Sequence, residues 1–209
     1  MARLPRIDVG DNLYHIINRA NARLPIFFEE EYSMRILAYC LMPNHFHLVV
    51  YPHDDGDVQK FMQWVTLTHT QRWHIKNKTV GSGHLYQGRY KSFLIEKDNH
   101  LLSVIRYVER NPLRARLVKK AENWNFSSLA CRLSKDVDRG KILSLWPIQE
   151  PKDYLSFVNQ ELNDEEELAV HYSVLHGKPF GSGKWIDDMI TKYNLGATVR
   201  EKGRPKKGT

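Results

Sequence analysis

Residues Met42-Pro43-Asn44-His45-Phe46-His47-Leu48-Val49-Val50 read as a turn followed by a strand. Pro43 and Asn44 are turn formers, and beyond them Phe46, Leu48 and Val50 alternate with His45, His47, Val49 and Tyr51, the period of a half-buried β-strand. Working outward, Met34 to Cys40 precedes the turn as a second strand, and Asn12 to Asn18 is a strand before that. On the other side, Asp57 is placed to cap a helix running to about Lys76, with Phe61, Trp64, Val65 and Thr68 at helical spacing. Gly81-Ser82-Gly83 is a flexible link. Tyr90 to Ile95 then reads as a fourth strand, and Asp98 caps a second helix that ends near Pro112.

The order strand, strand, strand, helix, strand, helix predicts an α+β fold, a ferredoxin-like antiparallel sheet with its helices on one face. One helix of that unit is missing. It belongs between the first two strands, where Arg19 to Ser33 carries Pro25 and Glu29-Glu30-Glu31, a poor crossover helix. Two readings follow: a deletion at that edge, or a loop absent from the sequence. From residue 136 the pattern weakens into a mainly helical or irregular extension. There Asp164 to Glu167 opens a helix through Val170 and His171, and Lys184 to Tyr193 spans a short one.

The chain has 209 residues, 42% apolar and 26% charged, which are globular values and exclude a disordered or collagen-like polymer. No apolar run approaches the roughly 20 residues that span a bilayer. The opening Met-Ala-Arg-Leu-Pro-Arg lacks a signal peptide's apolar stretch, and Cys40 and Cys131 suggest no disulfide framework, so a cytoplasmic protein is expected. The net charge of +7 is uneven. Residues 1–135 carry 20 basic and 12 acidic side chains, residues 136–199 carry 6 and 11, and residues 200–209 carry 5 and 1. Residues 89–120 are densest, with nine Lys and Arg against three acids. This division suggests a polyanion-binding domain (1–135), an acidic accessory region (136–199) and a basic tail (200–209). In the tail, Gly203-Arg204-Pro205 among lysines resembles an AT-hook, whose Arg204 would enter a minor groove; a cationic tail for any phosphate is the alternative.

The chemistry rests on two features. On a strand His45 and His47 share a face, so two imidazoles can bind one divalent cation; the alternative is a pair of ordinary surface histidines. In Arg106-Tyr107-Val108-Glu109-Arg110-Asn111-Pro112, a helical pitch brings His100, Tyr107 and Asn111 to a narrow stripe bordering the face of Leu101, Val104, Ile105 and Val108. Tyr107 and Asn111 stand one turn apart and point the same way, either to serve one site or as a core-edge tyrosine and a helix-ending Asn.

Taken together, Leu-Met-Pro-Asn-His-Phe-His at 41–47, Leu-Tyr-Gln-Gly-Arg-Tyr-Lys at 85–91 and Arg-Tyr-Val-Glu-Arg-Asn-Pro at 106–112 resemble the single-tyrosine HUH transposases, and among them the REP-associated tyrosine transposases, relatives of insertion-sequence transposases. The resemblance runs from about Asn12 to Ala130, and the short segment between the first strands departs from the family pattern. It implies a metal-dependent transposase and single-strand endonuclease. His45, His47 and Asn111 would hold Mg²⁺ or Mn²⁺, and Tyr107 would attack the scissile phosphate to form a 5′-phosphotyrosine. It further implies single-stranded DNA beside a REP-like hairpin as partner, handled by a monomer or homodimer. Arg89, Lys91, Arg106, Arg110, Arg114 and Arg116 are candidates for backbone contacts, each of them otherwise a solvated charge. Tyr90, Trp73 and Trp124 are candidates for stacking on bases or for core packing.

Two other classes compete. A non-catalytic binder of hairpin or single-stranded nucleic acid could use such a sheet, although the aromatic RNA-recognition signature is missing. A hydrolase with a His-x-His metal pair would need further ligands, and His53, Asp54 and Asp55 do not offer the usual spacing.

Overall fold

The computed structural model describes residues 6–20, 34–134 and 142–199. Its strands are β1 (Leu13–Arg19), β2 (Met34–Leu41), β3 (His45–Pro52) and β4 (Lys91–Ile95). They form one antiparallel sheet in the order β2-β3-β1-β4, with β1 and β3 central. The Pro43-Asn44 turn closes the β2–β3 hairpin, the Met42 amide donating to the His45 carbonyl at 2.8 Å. In the central pair Tyr14 faces Val50, Ile16 faces Leu48 and Ile17 faces His47.

The helices are α1 (Asp57–Asn77), α2 (Asn99–Arg114), α3 (Ser128–Leu133), α4 (Tyr154–Asn159), α5 (Asp164–His176) and α6 (Gly183–Lys192). The α+β class and the antiparallel sheet are as expected, but the layering differs: helices cover both faces rather than one. Phe46, Leu48, Val50, Tyr14 and Ile16 pack with Val58, Phe61, Met62 and Val65 of α1, and with Leu195 beyond α6. The opposite face sets Leu13, Val49, Phe93 and Ile95 against Leu101, Val104, Ile105 and Val108 of α2, joined by Val170 and Val174 of α5. The reason lies in the strands themselves. Both sets of alternating side chains in β1 and β3 are buried, Leu13 to Ile16 and Phe46 to Val50 without a break, and a sheet apolar on both sides needs a layer on each.

The acidic second part of the chain belongs to these layers. Phe180 pairs with the β4 edge, its amide donating to Leu94 and its carbonyl accepting from Glu96, both at 2.9 Å, which satisfies groups that an open edge would leave exposed. The departure expected between β1 and β2 falls, from residue 21 to residue 33, outside the described residues, as do the 200–209 tail and Arg204.

Capping departs from expectation at α1. Asp57 is the first helical residue, not the cap, and Gly56 takes the N-cap in a left-handed conformation (φ 83°). The Val58 and Gln59 amides donate instead to the carboxylate of Asp8, at 3.0 and 2.8 Å, so a residue far back in sequence stitches the N-terminal segment to the helix. At α2 the expectation holds, with the Asp98 side chain accepting from the His100 amide at 2.8 Å. That helix continues through Pro112 to Arg114, since a proline in the last turn removes only one intrahelical donor. We expect Asp98→Ala to lower the unfolding free energy by about 1 kcal/mol, seen as an earlier urea midpoint at unchanged slope.

Candidate functional site

Tyr107 and Asn111 of α2 meet His47 of β3 under the sheet face that α2 covers. The Asn111 Nδ2 lies 3.2 Å from His47 Nε2, and the Tyr107 ring stands edge-on to the His47 ring at 5.8 Å between centroids. All three are buried, Tyr107 being only 3% exposed. His45, two residues back on the same face of β3, is half-buried, with its ring centroid 4.9 Å from that of His47. The four residues, which spacing alone gave only as two separate pairs, are thus gathered in one place. His100, two turns back on α2, is not among them: it faces Phe180 and the Asp98 carboxylate.

Sequence reading missed a fifth member. His15 of β1 is fully buried, diagonal to His47 across the β1–β3 ladder, and its Nε2 lies 2.8 Å from His47 Nδ1. The available signal was a polar residue on the inward period of β1, between Leu13 and Ile17. Asn44, read only as a turn former, places its Oδ1 2.7 Å from His45 Nδ1.

Burial sets the electrostatics. It lowers His15 to about 3 and His45 to about 4 from an ordinary 6.5, and pushes His47 well below that value, so all three are neutral at physiological pH. Positive charge reinforces this, from His45 at His15, from His15, His45 and Arg114 at His47, and from Arg19 and Arg114 at His45. Burial raises the Tyr107 phenol, while Arg114 pulls it back. The Arg114 guanidinium lies 5.0 Å over the tyrosine ring, with one nitrogen 3.4 Å from the hydroxyl and 3.5 Å from Asn111 Oδ1.

The donor chemistry fits a divalent cation. Neutral imidazoles are competent ligands, and both Nδ1 atoms are already engaged by Asn44 and His15, which leaves the Nε2 atoms as the metal-facing ones; that of His47 meets the Asn111 amide, which a metal there would displace. Asn111 turns its amide nitrogen, not its oxygen, toward His47, so its oxygen would have to face the metal to serve as a ligand. A separate set of donors, Glu96, Asp98 and His100, lies within 4.8 Å at the start of α2. Its carboxylates are committed elsewhere, Asp98 to the helix cap and Glu96 to the Ser182 amide and hydroxyl.

The basic candidates divide. Arg106, Arg110 and Arg114 line α2 and pair with Glu166, Glu161 and Glu167 at 2.8, 3.0 and 3.0 Å. Arg89 borders a groove between α1 and the 83–90 loop, lined by Arg6, Gln59, Gln63 and Thr66 together with Met62 and Leu85. Lys91 is exposed and reaches the Leu175 carbonyl, while Arg116 is exposed just past α2 in a left-handed turn (φ 56°). Trp124 donates its indole N–H to Leu41 at 2.9 Å, Trp73 packs at the edge of the α1 face, and Tyr90 lies beneath Arg6 at 4.4 Å. Among the described residues no helix is long and apolar enough to cross a membrane.

Residues 15–111 match the family described as "Transposase IS200 like". No curated protein matches the chain. Among solved structures, that of a REP-associated tyrosine transposase bound to a REP hairpin is similar at 18% identity and a TM-score of 0.51, the match covering 78% of this chain and 98% of that one. At such identity the likeness is one of fold.

Proposed function

From the match of residues 15–111 to the IS200-like transposase family, we propose that this chain is such a transposase and that it cleaves and rejoins single-stranded DNA beside hairpins, with Tyr107 as nucleophile. The observation that carries this reading is the meeting of Tyr107 and Asn111 with His47, groups 60 or more residues apart in sequence, within one chain. A phenol against a histidine pair suits transesterification better than simple binding, which has no use for a buried hydroxyl.

His45, His47 and Asn111 are the residues that would hold Mg²⁺ or Mn²⁺, and such an ion would polarise a non-bridging phosphate oxygen. The Tyr107 oxygen attacks phosphorus, the bond to the 3′-oxygen breaks, and the phenolic proton passes through solvent to that leaving oxygen. The 5′-phosphate stays esterified to Tyr107, and a different 3′-hydroxyl reverses the step without ATP. Arg114 favours the phenolate from over the ring, countering the effect of burial. An unstacked phosphate is required, hence single-stranded DNA; a flanking hairpin is proposed by analogy with the DNA bound to the similar transposase. With labelled hairpin-flanked single strands and Mg²⁺ or Mn²⁺, a covalent protein–DNA band is expected in denaturing gels and should vanish with EDTA or in His45→Ala. Cleavage without a covalent band would overturn the tyrosine mechanism.

DNA would reach Arg106, Arg110 and Arg114 by exchanging carboxylates for phosphates, which makes the 136–199 region an accessory layer that tempers a basic helix. Replacing Glu161, Glu166 and Glu167 together by glutamine is expected to tighten single-strand binding about tenfold at low salt, with a steeper salt dependence. Fluorescence anisotropy reads this directly, and an unchanged affinity would remove these arginines from the interface.

A further inference from the structure

We propose that His15 is a positioning residue that fixes the tautomer of His47, so that His47 presents an unprotonated Nε2 to the reacting centre. The inference rests on the transposase reading above but can fail separately from it. The chain of contacts sets each proton. Arg114 can only donate, so the Asn111 atom 3.5 Å from it is the amide oxygen, and the nitrogen faces His47. That nitrogen also only donates, so His47 Nε2, 3.2 Å away, accepts and carries no proton. The His47 proton therefore sits on Nδ1 and is donated to His15 Nε2 at 2.8 Å.

This arrangement leaves the His15 proton on Nδ1, and that atom is buried with no hydrogen-bond partner among the described residues. A lone buried donor is costly and rarely kept without use. An apolar side chain would suit the site better, since His15 otherwise packs against Phe93 at 4.8 Å in an apolar cluster. The imidazole is explained by its other nitrogen, the one acceptor that meets His47 Nδ1. A histidine that coordinates metal through one nitrogen needs its second N–H held in this way.

The test uses the full-length protein labelled with ¹⁵N-histidine. Long-range proton–nitrogen spectra at neutral pH, with His47 assigned by its loss in His47→Ala, should show the Nδ1–H form in the wild type and in His15→Gln, whose amide oxygen replaces the acceptor. His15→Phe should shift His47 toward the Nε2–H form, the Asn111 amide turning its oxygen to accept that proton at the expense of its long 3.5 Å contact to Arg114. Mn²⁺ affinity, followed by electron paramagnetic resonance, should fall about 10- to 100-fold in His15→Phe and recover in His15→Gln. Thermal melts of both variants exclude misfolding. An Nε2–H form in the wild type, or an unchanged His47 tautomer in His15→Phe, overturns the proposal. If wild-type protein binds no Mn²⁺ while the tautomer shifts as stated, the metal reading fails and the positioning role stands.

Discussion

Tyr107→Phe is expected to abolish covalent capture of DNA and to reduce strand cleavage by at least about 10⁴-fold, while leaving affinity for the same single strand within about twofold. The substitution removes one oxygen and no ring. The edge-on packing on His47, at 5.8 Å, and the Arg114 guanidinium 5.0 Å over the ring are both kept. The lost contact to Arg114, at 3.4 Å, is long and shared with Asn111, so little stability goes with it. A large chemical effect with a small binding effect is the signature of a nucleophile. The comparison also separates the two readings of the sheet, because a protein that only binds nucleic acid has no cleavage to lose. Metal-dependent cleavage surviving in Tyr107→Phe would point instead to water as the attacking group.

The second large effect is a pH dependence centred on Glu109, two residues from the nucleophile and so on the other side of α2. Its carboxyl is fully buried, accepting from the hydroxyls of Ser128 on α3 and Tyr154 on α4, and so ties three helices together. Burial raises its pKa from 4.5 to about 7, and the two hydroxyls only partly offset this. In the folded state the proton is thus held more tightly than in the unfolded chain. Stability from this group is complete below about pH 4.5 and is lost as pH rises through about 7. The difference corresponds to about 3 kcal/mol at about 1.4 kcal/mol per unit. The buried histidines act oppositely: His15 and His45, lowered to about 3 and 4, cost stability as pH falls below 6.5. The wild-type curve alone therefore mixes two trends. Glu109→Gln keeps the hydrogen-bonding shape without the charge, so urea midpoints of wild type minus variant isolate the carboxyl. Wild type should lose ground steadily between pH 4.5 and 7, and a flat difference would mean that Glu109 does not titrate in that window.

Much of the fold was legible because strand and helix periods are local. The alternation after Pro43-Asn44 marked β3 to within a residue, and Asp98 announced α2 because a cap needs only its own helix. The layering was not legible from Phe46 and Leu48 alone. It depended on Val49 and on the Leu13-Tyr14-His15-Ile16 run, whose burial on two faces follows from neighbours far away in sequence. The cap of α1 was misread for the same reason: Asp57 has the right local position, yet Asp8 supplies the carboxylate.

For the site, the sequence by itself determined the residue types and their pairwise geometry: two imidazoles on one strand face, a phenol and an amide one turn apart, and a basic stretch around them. These follow from the two-residue and 3.6-residue periods, which need no partner. Only the tertiary structure decided that the two pairs converge and that His15 stands behind His47. It also decided that the α2 arginines answer to Glu161, Glu166 and Glu167, so that the basic helix and the acidic region, separate in composition, form one surface. A charge count sums along the chain, whereas hydrogen bonds and ion pairs depend on which side chains the sheet and its layers bring within about 3 Å of one another.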